Sequence, residues 1–293
     1  MHFFQKLIRY FINSLCYAKE KNPLLIKAWV EVKCGKLIHR NWGDELNIHL
    51  LKLLTGRPII VANTSLWHML FLSRHYICIG SVLGWYENEM SEIWGAGSMG
   101  GDLVLRNIPA KIHLVRGKHT RQLLIQQGVN CPENYGDPAL LLSQFYSPHK
   151  TKKYKMGIIP HYMDEGQTYL LNYANTHNDV CLISMSSYDK WTDVIDQIYS
   201  CEFIISSSLH GLIVSDSYGI PNLWVTLSGN SHMTGSFKYK DYFSSVNRRE
   251  DTNPIDIRNE QDLSDMYNLK YKDMFEIAEI DFSAILESCP FVS

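Results

Sequence analysis

The chain has 293 residues, of which 45% are hydrophobic and 20% are charged, a composition typical of a soluble globular protein with a sizeable core. This length favours two domains, and the composition excludes the disordered, collagen-like and coiled-coil classes. The 28 basic and 30 acidic residues leave a formal net charge of -2, so we expect no nucleic-acid partner.

The first predicted element is an amphipathic helix at the N-terminus. Its apolar residues recur at helical spacing, at Phe3, Phe4, Leu7, Ile8, Phe11, Ile12 and Leu15. Lys6 and Arg9 interrupt the run too early for a membrane-spanning helix, and no signal-peptide cleavage site follows it. We expect this helix to pack on the protein's own body, with contact to a membrane surface as the alternative.

Short apolar runs then alternate with amphipathic segments. They predict strands at residues 58–62, 76–79, 92–94, 111–115, 156–160, 179–183, 203–206 and 222–225. They predict helices at residues 45–54, 118–127, 165–174, 188–199 and 209–218. This alternation indicates an α/β fold with parallel sheets. Because the lysine-rich segment 147–155 divides the pattern, we predict two Rossmann-like domains, 1–148 and 149–293, that face a central cleft.

A serine-rich turn follows the predicted strand at residues 203–206. It reads Ser206-Ser207-Ser208-Leu209-His210-Gly211 and leads directly into a predicted helix. In open α/β sheets ligands bind at this end of a strand, and the free N–H groups of a helix attract phosphate or carboxylate. The serine hydroxyls would add donors, and His210 would add a group that transfers protons near neutral pH. The alternative is a capped helix with a packed histidine, but the combination favours an anion site.

Five short motifs lie in order along the chain. They are Asn41-Trp42-Gly43-Asp44-Glu45-Leu46-Asn47, Gly95-Ala96-Gly97-Ser98, Val115-Arg116-Gly117, Gly136-Asp137-Pro138-Ala139, and the serine turn with Asp216-Ser217-Tyr218-Gly219-Ile220-Pro221. This set resembles the polysaccharide pyruvyl transferase family. The resemblance implies the two-domain architecture of GT-B glycosyltransferases. It also implies transfer of a pyruvyl group from phosphoenolpyruvate to two hydroxyls of a hexose, of the galactose type, as a cyclic ketal in surface polysaccharide biosynthesis.

The resemblance suggests roles for individual residues. We expect the N-terminal domain to hold the acceptor and the C-terminal domain the donor, with His210 as acid–base catalyst. Asp44 would position or deprotonate the acceptor hydroxyl, unless it only caps a helix. The expected donor-binding residues are Arg116, His161, Ser206, Ser207, Ser208, Leu209, Gly211 and Lys240. The expected acceptor-binding residues are Asn41, Trp42, Asn47, Trp85, Gly97 and Ser98.

One position departs from the family pattern. Ser208 stands where many members have an arginine, so another cation must hold the donor phosphate. The candidates are Arg116, Arg121, Lys238 and Lys240.

Other ligand classes find little support in the sequence. Gly95-x-Gly97-x-x-Gly100 matches a dinucleotide fingerprint, but neither a good helix nor the required acidic residue follows it. There is no H-E-x-x-H, D-x-D or C-x-x-C pair, so we expect no metal and no cofactor besides phosphoenolpyruvate as donor substrate. Seven cysteines without paired spacing argue against a full disulfide framework and indicate a reducing cytoplasm.

Two other functions remain open on the sequence. The first is a metal-independent GT-B-type glycosyltransferase that uses a nucleotide sugar. The second is a catalytically inert sugar-binding subunit. In the main hypothesis the partner is a glycan acceptor, and the N-terminal helix would suit a lipid-linked acceptor at the inner face of the cell membrane.

Overall fold

The computed structural model describes residues 2–38, 41–149, 151–227 and 235–291. The strands are β1 (Leu24–Ile26), β2 (Val32–Lys33), β3 (Lys36–Leu37), β4 (Ile59–Val61), β5 (His75–Ile77), β6 (Ser91–Trp94), β7 (Lys111–Leu114), β8 (Tyr154–Ile159), β9 (Val180–Leu182), β10 (Cys201–Ser206), β11 (Asn222–Leu227) and β12 (Ile255–Ile257). The helices are α1 (His2–Tyr17), α2 (Trp42–Thr55), α3 (Leu66–Leu70), α4 (Lys118–Gln126), α5 (Leu142–Phe145), α6 (Thr168–Thr176), α7 (Trp191–Tyr199), α8 (Leu209–Ser217), α9 (Phe237–Phe243), α10 (Glu260–Tyr267) and α11 (Phe282–Glu287). Each strand and helix predicted from the sequence overlaps one of these elements.

The chain divides into two compact units. The first comprises the residues up to Pro138 and those from Phe282 onward, and the second comprises the residues from Ala139 to Asp281. Helix α11 returns to the first unit, where the indole N–H of Trp94 lies 3.3 Å from the carbonyl oxygen of Ile285. The C-terminal helix therefore completes the N-terminal unit.

Each unit is built on a five-stranded sheet whose strands are parallel. The order is β4-β1-β5-β6-β7 in the first sheet and β12-β11-β10-β8-β9 in the second. Numbered within their own sheets, both sets of strands follow the doubly wound order 2-1-3-4-5. The predicted α/β class with two parallel sheets is confirmed. In this topology ligands bind at the carboxyl edge where the strand order reverses. That point lies between β1 and β5 in the first unit and between β8 and β10 in the second.

The sheets are buried because their strands are apolar on both faces. Met156, Ile158, Phe203, Ile205 and Leu223 belong to the core of the second unit, and Ile77, Ile93, Ile112 and Val115 to the core of the first. A strand covered on both faces reads as a continuous apolar run, which is why these strands were visible in the sequence.

A buried ion pair anchors α8 in the second unit. The guanidinium Nη1 of Arg248 lies 3.0 Å from Asp216 Oδ2, and Tyr242 donates a hydrogen bond of 2.6 Å to the same oxygen. Asn222 at the start of β11 donates to Asp216 Oδ1 at 2.5 Å. Burial raises the pKa of Asp216, whereas Arg248 favours its ionised form. Through Tyr242 and Asn222, Asp216 therefore joins α8 to α9 and β11.

A disulfide joins Cys16 of α1 to Cys34 of the β2–β3 hairpin, and the other cysteines are free thiols. One bridge among seven cysteines is not the full disulfide framework that the cysteine pattern argues against. Among the residues described, no helix is both long and apolar enough to cross a membrane.

Candidate functional site

The serine turn lies at the point where the strand order of the second sheet reverses. β8 ends at Ile159 and β10 ends at Ser206. The backbone N–H of Ser207 donates to the Ile159 carbonyl at 3.0 Å, and the Ser206 hydroxyl lies 3.1 Å from the same oxygen. The Ser206 hydroxyl also accepts a 3.0 Å hydrogen bond from the backbone N–H of Ser208. Ser206 therefore shapes the turn through its own side chain.

Gly211 allows helix α8 to begin directly against the strand ends. A Cβ atom on Gly211 would overlap the Ser206 hydroxyl and would lie 2.9 Å from Ile159 Cγ2. Any larger residue would push the first turn of α8 away from the sheet. Leu209 and His210 are the first two residues of α8, so this contact places them at the amino end of the helix beside the turn.

His161 lies beside the serine turn, as its place after β8 suggests. Its backbone N–H donates to the Ser207 hydroxyl at 2.8 Å, and that hydroxyl lies 3.3 Å from Asp164 Oδ2. Burial, with a smaller contribution from the positive charge of Lys238, lowers the pKa of His161 to about 4. The imidazole is therefore neutral at neutral pH, and the Lys238 ammonium is close enough to act on it.

Helix α9 brings a buried cation to the same turn. The Tyr239 hydroxyl donates to the Ser207 carbonyl at 2.7 Å, and the Tyr239 ring stacks on Trp224 with centroids 4.3 Å apart. Lys238 is buried, and its ammonium lies 5.2 Å from the Tyr239 ring centroid. Lys240, the lysine expected at the donor, is only half-buried. The charge of Lys238 contributes to the lowered pKa of His161.

Sequence reasoning missed Asp164 and Tyr239, and it named Lys240 rather than Lys238 as a donor-binding residue. Lys238-Tyr239-Lys240 alternates along a helix, and the sequence does not show which of the three faces the sheet. Because both Lys238 and Tyr239 are buried, their side of α9 faces the interior of the unit. Together, the helix amino end, the buried lysine and the neutral histidine form an arrangement suited to a small anion.

In the first unit, Asp44 lies where the strand order of that sheet reverses. It belongs to the first turn of α2 and is 8% exposed, and the N-cap residue is Asn41. The Asn41 amide donates to Asp44 Oδ2 at 2.5 Å. A Cβ atom on Gly80, after β5, would lie 3.0 Å from Asp44 Oδ1. Burial raises the pKa of Tyr86 to about 12, and the charge of Asp44 adds to this effect. The carboxylate therefore lies close to the chain that follows β5.

Asn47 holds α2 to the end of β5. Its side-chain amide donates to the carbonyls of Asp44 and Ile79 at 3.0 and 2.8 Å, and its side-chain oxygen accepts from the Ile79 N–H at 2.9 Å. Trp42, another expected acceptor residue, is fully buried, so its ring offers no face to a sugar. Asn47 therefore fixes the position of Asp44 from inside the unit.

An aromatic pair at the surface of the first unit includes Trp85, another expected acceptor residue. Trp85 is 38% exposed and Trp29 is 49% exposed, and their ring centroids lie 5.4 Å apart. Flat apolar rings of this kind cover the C–H faces of pyranose sugars. Trp29 was not singled out from the sequence, because a single tryptophan after a short strand carries no pattern.

Arg116, Gly97 and Ser98 lie together at the carboxyl edge of the first sheet. The Arg116 side chain is fully buried, and its guanidinium donates to the Ser81 hydroxyl and, at 2.6 Å, to the Ser98 carbonyl. A Cβ atom on Gly97 would lie 2.5 Å from Arg116 Cζ, so this glycine makes room for the guanidinium. The Ser98 N–H is bonded to the Thr120 hydroxyl at 3.0 Å. These contacts explain the glycine-rich sequence after β6.

Within the part of the chain that the structure describes, no group of three or more His, Cys, Asp or Glu side chains is arranged to hold a metal ion.

Comparison with known proteins shows the family. Residues 102–229, which include Arg116 and the serine turn, match the family model described as polysaccharide pyruvyl transferase. Uncharacterized protein L143 of Acanthamoeba polyphaga mimivirus is 30% identical over 210 residues, which cover 70% of each chain. The succinoglycan biosynthesis protein ExoV of Rhizobium meliloti is 26% identical over 219 residues, which cover 71% of this chain and 62% of the relative. The family match includes the serine turn and His161, and the chain belongs to the polysaccharide pyruvyl transferase family.

Proposed function

We propose that this protein transfers the pyruvyl group of phosphoenolpyruvate to two hydroxyls of a hexose in a surface polysaccharide, forming a cyclic ketal and releasing phosphate. The observation that carries the proposal is the arrangement of Lys238, His161 and the amino end of α8 around the serine turn. This arrangement suits a small anionic donor, and it lies in the segment that matches the family model or directly beside it. The similarity to a succinoglycan biosynthesis protein supports a glycan acceptor.

The second unit is the donor side in this proposal. The phosphate is bound by the backbone N–H groups at the start of α8, where Ser208 occupies the N-cap position without a side-chain cap bond. Lys238 supplies the positive charge that an arginine at Ser208 supplies in many family members. Ser206, Ser207 and Gly211 keep the turn in shape.

The remaining donor contacts are assigned from sequence. Lys240, which is only half-buried, contributes less to donor binding than Lys238, and Arg116 belongs to the first unit. Because the Arg116 guanidinium is already bonded to the Ser81 hydroxyl and the Ser98 carbonyl, its main effect is to hold those loops.

The reaction balances without a further co-reactant. The methylene carbon of phosphoenolpyruvate takes up a proton and becomes the methyl group of the ketal. The carbon–oxygen bond to phosphate breaks, and two carbon–oxygen bonds to the sugar form in its place. The two sugar hydroxyls lose their protons, one in net terms to the methyl group and one to the released phosphate. His210 acts as the acid–base group, and such a group contributes about 10²–10⁴-fold to the rate.

The first unit is the acceptor side. Asp44 accepts the proton of one sugar hydroxyl, and the Trp29–Trp85 pair covers an apolar face of the sugar. We propose a galactose-type, lipid-linked acceptor at the inner face of the cell membrane. Two units with the same strand order support a GT-B-type architecture.

Ligand-induced stabilisation tests the donor and separates it from a nucleotide sugar. A ligand that binds only the folded protein at about 100 times its dissociation constant stabilises it by about 2.7 kcal/mol. We expect phosphoenolpyruvate to raise the midpoint of thermal unfolding and uridine or guanosine diphosphate to leave it unchanged. The reverse result would favour the glycosyltransferase alternative.

A further inference from the structure

The N-terminal helix α1 is bound to its unit through polar side chains. Asn13 and Ser14 are fully buried. The Asn13 amide donates to the carbonyls of Val32 and Thr64, both at 2.8 Å, and the hydroxyls of Ser14 and Ser65 lie 3.0 Å apart. Any other rotation of α1 would leave these buried groups without partners, which is costly. The face of α1 that points away from the protein is therefore fixed.

That outward face is apolar. Phe4, Ile8, Phe11 and Leu15 are 74%, 56%, 49% and 47% exposed, and they follow one another along one side of the helix. The adjoining helix α3 packs against α1, and its Trp67 N–H lies 3.2 Å from the Ser14 hydroxyl. The large side chains exposed on α3 and after it are Trp67, Met69, Leu70, Phe71 and Leu72. We call these residues and the four on α1 the α1–α3 surface. An apolar surface of this size usually marks an interaction site.

The chain around this surface is basic, although the whole protein is not. Residues 2–38 contain seven Lys or Arg and two Asp or Glu, while the whole chain has a net charge of -2. Lys6, Lys33 and Lys36 are exposed, and Arg74 beyond α3 is 70% exposed, although it pairs with Glu92 at 2.8 Å. Apolar and aromatic side chains bordered by basic ones match a bilayer interface with anionic headgroups.

The α1–α3 surface continues into a cavity of the same unit. This cavity has a volume of about 690 Å³, and its lining includes Leu7, Leu66, Met69 and Leu72 together with Trp85. Residues of the α1–α3 surface and the tryptophan assigned to the acceptor thus line the same cavity.

We propose that the α1–α3 surface docks the protein on a lipid bilayer that contains anionic lipids. The apolar side chains enter the boundary between headgroups and acyl chains, and the basic residues contact the headgroups. The inference goes beyond the transfer reaction and does not depend on it.

Vesicle sedimentation of the full chain tests the proposal. We expect it to bind vesicles of phosphatidylcholine with phosphatidylglycerol and to bind pure phosphatidylcholine vesicles more weakly. The double variant Phe4→Ser/Phe11→Ser should lower partitioning by about tenfold or more, because each ring adds favourable burial. The double variant Leu171→Ser/Ile277→Ser is the matched control, since these residues are 46% and 59% exposed in the other unit. It should bind like the wild type.

Charge reversal and fluorescence give independent measurements. Lys33→Glu and Lys36→Glu should each weaken binding by about fivefold, whereas Lys272→Glu in the second unit should not. Brominated lipids should quench tryptophan fluorescence more in the wild type than in Trp67→Phe, because Trp67 is on the α1–α3 surface.

Three results would overturn the proposal. One is absence of binding to either vesicle type by the wild type. Another is equal binding by Phe4→Ser/Phe11→Ser and its control. The third is a dimer that the Phe4→Ser/Phe11→Ser variant loses, with no vesicle binding by the wild type. An unchanged unfolding midpoint of that variant and an unchanged response to phosphoenolpyruvate would show that fold and donor site are intact.

Discussion

Lys238 is the residue whose replacement tests the donor site most directly. Lys238→Met places an apolar side chain of similar length in the buried position and removes the charge. A hydrogen bond to a charged group is worth about 1.5–3 kcal/mol, so phosphoenolpyruvate should bind roughly 10- to 150-fold more weakly. Lys240→Met on the same helix is the matched control and should change the dissociation constant by less than about threefold.

The same variant has a second effect that a purely structural role would not produce. The charge of Lys238 contributes to the lowered pKa of His161, which is about 4. Without that charge the pKa should rise, but it should stay below 6.5 because burial is the larger cause. Calorimetric titration with phosphoenolpyruvate and an NMR titration of the His161 ring would measure both effects. Unchanged donor binding together with an unchanged His161 pKa would refute the assignment of Lys238.

An arginine at position 208 separates loss of charge from damage to the site. Many family members have an arginine where this chain has Ser208. The double variant Lys238→Met/Ser208→Arg should therefore regain part of the donor affinity that Lys238→Met loses. No recovery in a folded double variant would mean that the two positions do not serve the same phosphate.

Three further predictions concern stability and are checked by urea unfolding. Gly211→Ala should lower the free energy of unfolding by about 1–3 kcal/mol through overpacking. Gly166→Ala is the control and should not lower it, because the new Cβ meets no atom within 4 Å. Equal effects of the two substitutions would contradict the close approach of α8 to the strand ends. Arg248→Met should cost about 3–5 kcal/mol by leaving the buried Asp216 carboxylate unpaired, and a loss below about 1 kcal/mol would rule out that role. Burial lowers the pKa of His75 to about 4 from the ordinary 6.5, so the folded state favours the neutral ring and loses stability as the pH falls between these values. His75→Gln should lose less stability over that pH range. An identical slope of the unfolding free energy against pH would contradict this prediction.

The fold could be predicted largely from the sequence, because central parallel strands are buried on both faces and appear as apolar runs between helices. β1 and β12, of three residues each, were missed. β1 is nevertheless next to the point where the first sheet reverses its order. Sequence patterns thus identified the fold class and most of the elements. They missed β1, a strand beside the candidate acceptor site.

The candidate site was only partly predictable. The strand–turn–helix pattern located the serine turn, and the order of motifs indicated the family. Which side chains face the ligand depends on helix rotation and on burial, which short motifs do not encode. Lys238 and Lys240 look equivalent in sequence, and Trp42 gave no sign of being fully buried. α1 shows the same limit, because its amphipathic pattern does not reveal that Asn13 and Ser14 are its inward face.

The most direct test of the central claim is to incubate the purified protein with phosphoenolpyruvate and a panel of galactose-containing glycans. Phosphate release and the methyl signal of the pyruvate ketal would be followed together by NMR. We expect both to appear in equal amounts with at least one acceptor and both to vanish in a folded His210→Ala variant. A panel without phosphate release, or ketal formation at the wild-type rate in His210→Ala, would contradict the proposed reaction or the assigned role of His210, respectively.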